Sequence, residues 1–186
     1  TGDGRRLPAD LAVVGIGVVP NQALAAACGL TCNDGIEVDE YARTSDPQIL
    51  ACGDCTRHPN AYAGGERLRL ESVQHANDQA RTAAATILGQ PTPYRALPWF
   101  WTDQFDVKLQ MAGLSGDFEE EVLRGEGAAG NFTAFYYRHQ RLVAADSVNR
   151  SQEHLTIRKL LTAQVHVPGE VAADPGVDLK TLLPKG

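Results

Sequence analysis

The most reactive side chains in this sequence are its four cysteines, Cys28, Cys32, Cys52 and Cys55. Cys52-Gly53-Asp54-Cys55 has the spacing of a redox dithiol, and together with Cys28 and Cys32 it imitates a four-thiolate zinc site. The first pair, however, is one residue too wide for a tight knuckle, and Cys28 falls in a stretch that reads as helix. A dithiol nucleophile belongs at a helix N-terminus, a position that Cys55 alone could take. Buried small hydrophobes are therefore the preferred reading of these thiols. Gly15-Ile16-Gly17-Val18-Val19-Pro20 offers a second chemistry, a glycine turn for a dinucleotide phosphate, with Asp39 roughly 20 residues on as a ribose acid. The third glycine, which lets helix and strand pack closely, is missing. Pro20 stands at the helix start instead, where its fixed φ suits the first turn. Two readings stay open: a turn over which a flat or charged group lies, or a purely structural one. His58, His75, His139, His154 and His166 show no ligand spacing with a carboxylate and read mostly as solvated residues, so no metal site is expected. Glu119-Glu120-Glu121 reads as a solvated charge run.

These groups need a frame to hold them. The 186 residues, 43% hydrophobic and 22% charged, suffice for one large domain or two small ones with a real core. A net charge of −6 argues against general nucleic-acid binding. No apolar run approaches a membrane span and no leader is visible, so the cysteines point to a reducing cytoplasm. The chain opens Thr1-Gly2-Asp3-Gly4, which leads to the expectation of a piece of something longer or a processed product.

Leu11-Ala12-Val13-Val14 reads as a buried strand, the second arm of a hairpin. A short Ala-rich helix is expected from Gln22 to Cys28, stopped by Gly29. Ile36-Glu37-Val38 and Ile49-Leu50-Ala51-Cys52 read as strands, with a loop from Arg57 to Glu66. After Ser72-Val73 comes a long helix to Leu88, with Ala76, Ala80, Ala83, Ala84 and Ile87 on one face. Proline and glycine mark a boundary between Pro91 and Pro98. Beyond it, Lys108 to Leu114, Glu119 to Arg124, Phe132 to Tyr137 and Leu142 to Val148 suit strands, and Ser151 suits the cap of a helix running to Gln164. The fold expected is α/β in the first part and α+β in the second, an antiparallel sheet with a helix.

One long ordered pattern goes further. Thr44-Ser45-Asp46-Pro47-Gln48-Ile49-Leu50-Ala51-Cys52-Gly53-Asp54 resembles the second FAD-contacting segment of flavoproteins with two dinucleotide-binding domains. Gly15 to Asn21 resembles their return from the NADH domain to the FAD domain. Arg69-Leu70-Glu71-Ser72-Val73 with the following helix resembles the next FAD element. Pro98-Trp99-Phe100-Trp101-Thr102-Asp103-Gln104 is similar to the Pro-Trp-Phe-Trp-Ser-Asp-Gln signature of putidaredoxin-, rhodocoxin- and biphenyl-dioxygenase-type ferredoxin reductases, with Thr in place of Ser. Met111 to Leu114 and Val148-Asn149-Arg150 suit the same C-terminal domain.

The resemblance implies an incomplete FAD/NAD(P)-binding Rossmann-type portion in residues 1–96, followed by a C-terminal reductase domain in residues 97–186. It implies an oxidoreductase carrying electrons from NADH through FAD to a [2Fe-2S] ferredoxin. Gly53 and Asp54 would meet the ribityl chain, and Ser72 and Val73 the flavin edge at a helix N-terminus. Trp101 would lie beside the ring, with Glu71 and the Gly15-Ile16-Gly17 turn on the nicotinamide side. No side chain need act as nucleophile. Both glycine fingerprints for FAD and NADH are missing, so this chain alone is expected to be inactive and to hold neither cofactor tightly. All four lysines, Lys108, Lys159, Lys180 and Lys185, follow the boundary, and Arg81 with Lys108 is the expected docking pair for an acidic ferredoxin. The alternatives are a standalone interaction module without catalysis and a related reductase with a rubredoxin-like acceptor.

Overall fold

A computed structural model describes residues 2–184, so Lys185 lies outside the described residues. The first part is built around two helices and a small sheet. Helix α1, Ala23–Ala27, is short and ends in the Cys28–Gly29 turn. Strand β1, Ile36–Glu37, runs parallel to β2, Thr56–Pro59, which pairs antiparallel with β3, Arg67–Leu68. Helix α2, Val73–Ile87, follows, with Ser72 as its N-cap.

The second part is a five-stranded antiparallel sheet in the order β4-β5-β8-β7-β6. Its strands are β4, Trp99–Gln104; β5, Val107–Gly113; β6, Glu120–Glu126; β7, Asn131–Arg138; and β8, Arg141–Val148. Helix α3, Ser151–Thr162, and the short helix α4, Gly169–Ala173, complete it. Alternation decides which residues face the helices. Phe135 and Tyr137 of β7 and Ala145 of β8 pack against Ile157, Leu160 and Leu161 of α3 in the main core. Arg124 of β6 is buried beneath the C-terminal segment. Its guanidinium donates to the carbonyls of Ala172, Asp174 and Val177 and pairs with Glu153 of α3 at 2.7 Å.

Several expectations from the sequence do not hold. Leu11–Val14 forms no strand: Leu11 is 82% and Val13 90% exposed. A strand needs a neighbour for its N–H and C=O groups, and none of the described residues pairs with this one. Ile49–Cys52 makes a single bridge, Leu50 to Arg43, and both Ile49 and Cys52 are exposed. The Thr44 hydroxyl binds the carbonyls of Asp46 and Ile49, folding this stretch into a tight turn too short for a ladder. The cysteines are not buried hydrophobes: all four are free, with Cys28 and Cys52 exposed and Cys32 and Cys55 half-buried. The expected loop from Arg57 to Glu66 contains most of β2, whose His and Pro hide the usual apolar alternation. Ser151 is not a cap, since Arg150 occupies that position without a side-chain bond.

Two misreadings concern what is buried. His58, His75 and His154 are at most 1% exposed, against the expectation of solvated histidines. On α2 the buried face is Gln74, His75, Gln79, Thr82 and Ala83, while Ala80, Ala84 and Ile87 face outward. The alanine stripe and a polar stripe share the 3.6-residue period, and the polar one packs inward because the turns it meets present backbone groups and hydroxyls to bond.

Candidate functional site

The Gly53–Asp54 turn follows the bridge at Leu50. Gly53 has φ +86°, a left-handed conformation that glycine adopts without a steric penalty. A Cβ added there would sit 3.7 Å from the Ala76 Cβ, an ordinary contact, so conformation and not space calls for glycine. The Gly53 carbonyl accepts from the backbone N–H of Thr56 at 2.9 Å and lies 2.8 Å from its hydroxyl. The Gly53 N–H donates to Gln79 Oε1 at 2.7 Å. Asp54 itself is exposed.

Ser72 is extended, at φ −153° and ψ 147°, and its Oγ accepts the N–H of His75 at 3.1 Å. The first-turn N–H groups at Val73 and Gln74 have no intrahelical acceptor, and Val73 is 59% exposed. No acidic side chain occupies that turn, so the positive end of the helix dipole is left open to a negative group.

Beneath this terminus lies an aromatic layer. The His58 and His75 rings stack with centroids 4.7 Å apart, and Tyr94 meets both edge-on. The Tyr94 hydroxyl is 2.9 Å from His75 Nδ1. Burial pushes His58 down to about 4, helped by the neighbouring His75 and Arg67, and burial also lowers His75. Burial raises the Tyr94 phenol to about 12. All three are thus neutral at pH 7 and serve as packing.

The same helix seats strand β4. Gln74 Oε1 accepts the backbone N–H of Trp99 at 3.4 Å. Trp99 and Trp101 stack with centroids 5.3 Å apart, and Arg158 lies 4.0 Å over the Trp99 ring. Both tryptophans are half-buried. Glu71 is held by Arg69, which also reaches Asp34 at 3.5 Å. Leu70, Glu71 and Ser72 line a cleft of about 580 Å³ together with Phe100, Met111 and Asp146.

The structure thus gathers Gly53, Asp54, Ser72, Val73 and the Trp99–Trp101 strand around the first turns of α2, with Glu71 beside Ser72. It does not bring in Gly15, Ile16 and Gly17. That segment has no helix or strand, Ile16 is 91% exposed, and a Cβ at either glycine would meet nothing within 4 Å. Asp39 is no free ribose acid, because its Oδ1 accepts the N–H groups of Tyr41 and Arg43. Arg81 pairs with Asp78 at 2.5 Å and Lys108 with Asp103 at 3.7 Å. Among the described residues no group of three His, Cys, Asp or Glu could hold a metal ion. Gln74, Gln79, His58 and His75 were not foreseen. For Gln74, His75 and Gln79 the signal was a polar stripe at helical spacing on a helix that also carries an alanine stripe, while nothing local marked His58 on β2.

Both parts of the chain resemble known proteins. Residues 1–80 match the pyridine nucleotide-disulphide oxidoreductase family, and residues 99–183 match the reductase C-terminal family. Rhodocoxin reductase of Rhodococcus erythropolis is 47% identical over 180 residues, covering 97% of this chain and 42% of that protein. The crystal structure of the ferredoxin reductase for the CYP199A2 system from Rhodopseudomonas palustris superposes with a TM-score of 0.93 at 47% identity. That match covers 98% of this chain and 45% of the other. The covalent putidaredoxin reductase–putidaredoxin complex matches with a TM-score of 0.91 at 40% identity, over 97% of this chain and 43% of that one. The chain spans less than half the length of the curated relatives it matches. The two parts of the chain thus match, in order, the pyridine nucleotide-disulphide oxidoreductase and reductase C-terminal families, and nearly its whole length is similar to part of the putidaredoxin- and rhodocoxin-type reductases.

Proposed function

We propose that this chain is part of an FAD-dependent oxidoreductase that takes electrons from NADH and delivers them to a [2Fe-2S] ferredoxin. One observation carries the reading: the exposed Asp54 carboxylate, the open N-terminus of α2 and the Trp99–Trp101 strand converge on one helix. The donor set fits a flavin. Asp54 would accept hydrogen bonds from the ribityl hydroxyls. The N–H groups after Ser72 would stabilise negative charge at the pyrimidine edge. Trp101 would offer an aromatic face beside the ring, with Glu71 toward the nicotinamide. FAD, when bound, supplies the conversion of a two-electron donor into single-electron steps. The residues of this chain bind and orient, and none acts as a nucleophile. That the relatives are named as ferredoxin reductases supports the choice of acceptor. Four free thiols support a cytoplasmic site of action.

In the full-length protein, Asp54→Ala is expected to weaken FAD binding about tenfold or more, with the fold retained because Asp54 is exposed. Flavin fluorescence titration of the apoprotein measures this, and unchanged affinity would remove Asp54 from the site. The chain by itself, without the two glycine fingerprints, is expected to leave gel filtration carrying no stoichiometric flavin.

Ferredoxin docking is assigned to Arg81 and Lys108. Both are solvent-accessible, although each has an intramolecular carboxylate partner. Rim charges act mainly on association rate and are screened by salt. The double variant Arg81→Glu, Lys108→Glu should leave flavin reduction by NADH unchanged and slow ferredoxin reduction, most clearly at low salt. Equal ferredoxin kinetics across the salt range would end this assignment.

A further inference from the structure

We propose that Gln79 is a positioning residue for the flavin, holding the Gly53–Asp54 turn at a set distance from the N-terminus of α2 through the carbonyl of its side-chain amide. The inference rests on the functional reading above and names a residue that reading does not use.

Gln79 is 1% exposed, in the interior of a helix where a leucine or alanine would be the inexpensive choice. Its Oε1 accepts the Gly53 N–H at 2.7 Å and lies 2.8 Å from the Thr56 hydroxyl. The backbone N–H can only donate, so the amide must present oxygen, not nitrogen, to the turn. Its Nε2 is buried and has no hydrogen-bond partner among the described residues. An amide that keeps its donor half unpaired in order to place one acceptor is poorly explained by stability alone.

The turn gives that acceptor something to control. Gly53 has no side chain, and with φ +86° its backbone N–H is the handle by which α2 grips it. The Asp54 side chain makes no hydrogen bond among the described residues, so its location follows from that of Gly53. On the other side, Gln79 and Ser72 belong to one helix, seven residues and about 10 Å apart along its axis. A single acceptor thereby converts two segments distant in sequence into one rigid unit: a carboxylate for the ribityl chain and a helix N-terminus for the ring edge. A cofactor that touches both gains affinity when they are held in place beforehand.

The test separates the acceptor from the bulk of the side chain. In the full-length protein, Gln79→Met keeps volume and removes the acceptor, while Gln79→Glu keeps an acceptor oxygen in either protonation state. Expected for Gln79→Met is a tenfold or greater loss of FAD affinity by fluorescence titration, with faster hydrogen exchange at the Gly53 amide. Gln79→Glu should restore affinity to within about threefold of wild type. Thr56→Val, which removes the second donor and leaves the Gly53 bond, should fall between them, and it keeps the test open if the glutamate variant folds poorly. Wild-type flavin binding with unchanged affinity in Gln79→Met would overturn the inference alone. So would an equal loss in Gln79→Met and Gln79→Glu at matched melting temperature, since a packing defect would then suffice. A wild-type protein that takes up no flavin would overturn the functional reading and this inference together.

Discussion

Arg124→Met is expected to destabilise the C-terminal part of the chain by about 3–5 kcal/mol at pH 7, the cost of breaking a buried ion pair from one side. The Arg124 side chain is 5% exposed and that of Glu153 13%, so little solvent screens the pair. Arg124 also donates to three main-chain carbonyls, at Ala172, Asp174 and Val177. Methionine fills most of the space and leaves all of these acceptors without their donor. Burial by itself would raise the Glu153 carboxyl. Hydrogen bonds from Thr133, Arg150 and Arg124 outweigh it, and the group is held below the usual carboxylate range. Its folded pKa is depressed, so its stabilising share is present above the ordinary value near 4.5. That share is lost as pH falls through the folded value. Without Arg124 one of those bonds is gone and burial gains ground. The difference between wild type and variant should therefore be largest at neutral pH and shrink toward pH 4. Replacing both partners, as Arg124→Met with Glu153→Leu, should recover only the part of the loss that comes from the Glu153 carboxylate, because the three carbonyls stay without their donor and Arg150 loses its partner. Urea unfolding of the three proteins at pH 7 and pH 4 decides the matter. A single-variant loss under about 1 kcal/mol at pH 7 would show the network to be dispensable.

Much of this molecule was legible where pattern and period agree. In the second part, four strands read from alternation differ from the observed ones by no more than two residues at any end, because a sheet with one face on a helix imposes a period of two. Trp99–Gln104 was noticed as a motif but not as a strand, since both tryptophans and Phe100 break the alternation. The site was legible as motifs and not as contacts. The Gly53–Asp54 turn and the Ser72 terminus stood out as motifs, yet nothing local says that Gln79 reaches Gly53 across 26 residues or that Gln74 reaches Trp99 across 25. The inward turn of the α2 polar face was missed for a related reason. Alanine and glutamine are both good helix formers, so propensity does not choose between the faces. The choice depends on what the helix meets, which is the Gly53 N–H and the Thr56 hydroxyl. Leu11–Val14 failed differently: its residues have strand character, but a strand exists only with a neighbour.

Gly113→Ala is expected to unfold the five-stranded sheet or to cost most of its stability. Gly113 ends β5 at φ +82°, where a side chain is already strained by about 1–3 kcal/mol. Space is the larger difficulty. An added Cβ would lie 2.1 Å from the Val143 carbonyl oxygen and 2.8 Å from the Ala144 Cα. These are main-chain atoms of the neighbouring strand β8, and they cannot swing aside as a side-chain end would. Relief requires β5 and β8 to separate at the Gly113–Ala144 pair. Both are central strands, and the Gly113 N–H additionally donates to the Pro98 carbonyl at 2.8 Å, fixing the entry to β4 and its tryptophans. A domain with a margin of about 5–15 kcal/mol cannot absorb strain, clash and two broken pairings without a large fall. Gly116→Ala supplies the control, since Gly116 has no positive φ and a Cβ there meets nothing within 4 Å. It should be neutral to within about 0.5 kcal/mol. Circular dichroism and urea midpoints of the two variants, measured side by side, give the answer. Equal stability would mean that β5 and β8 approach each other less closely at Gly113 than these distances require.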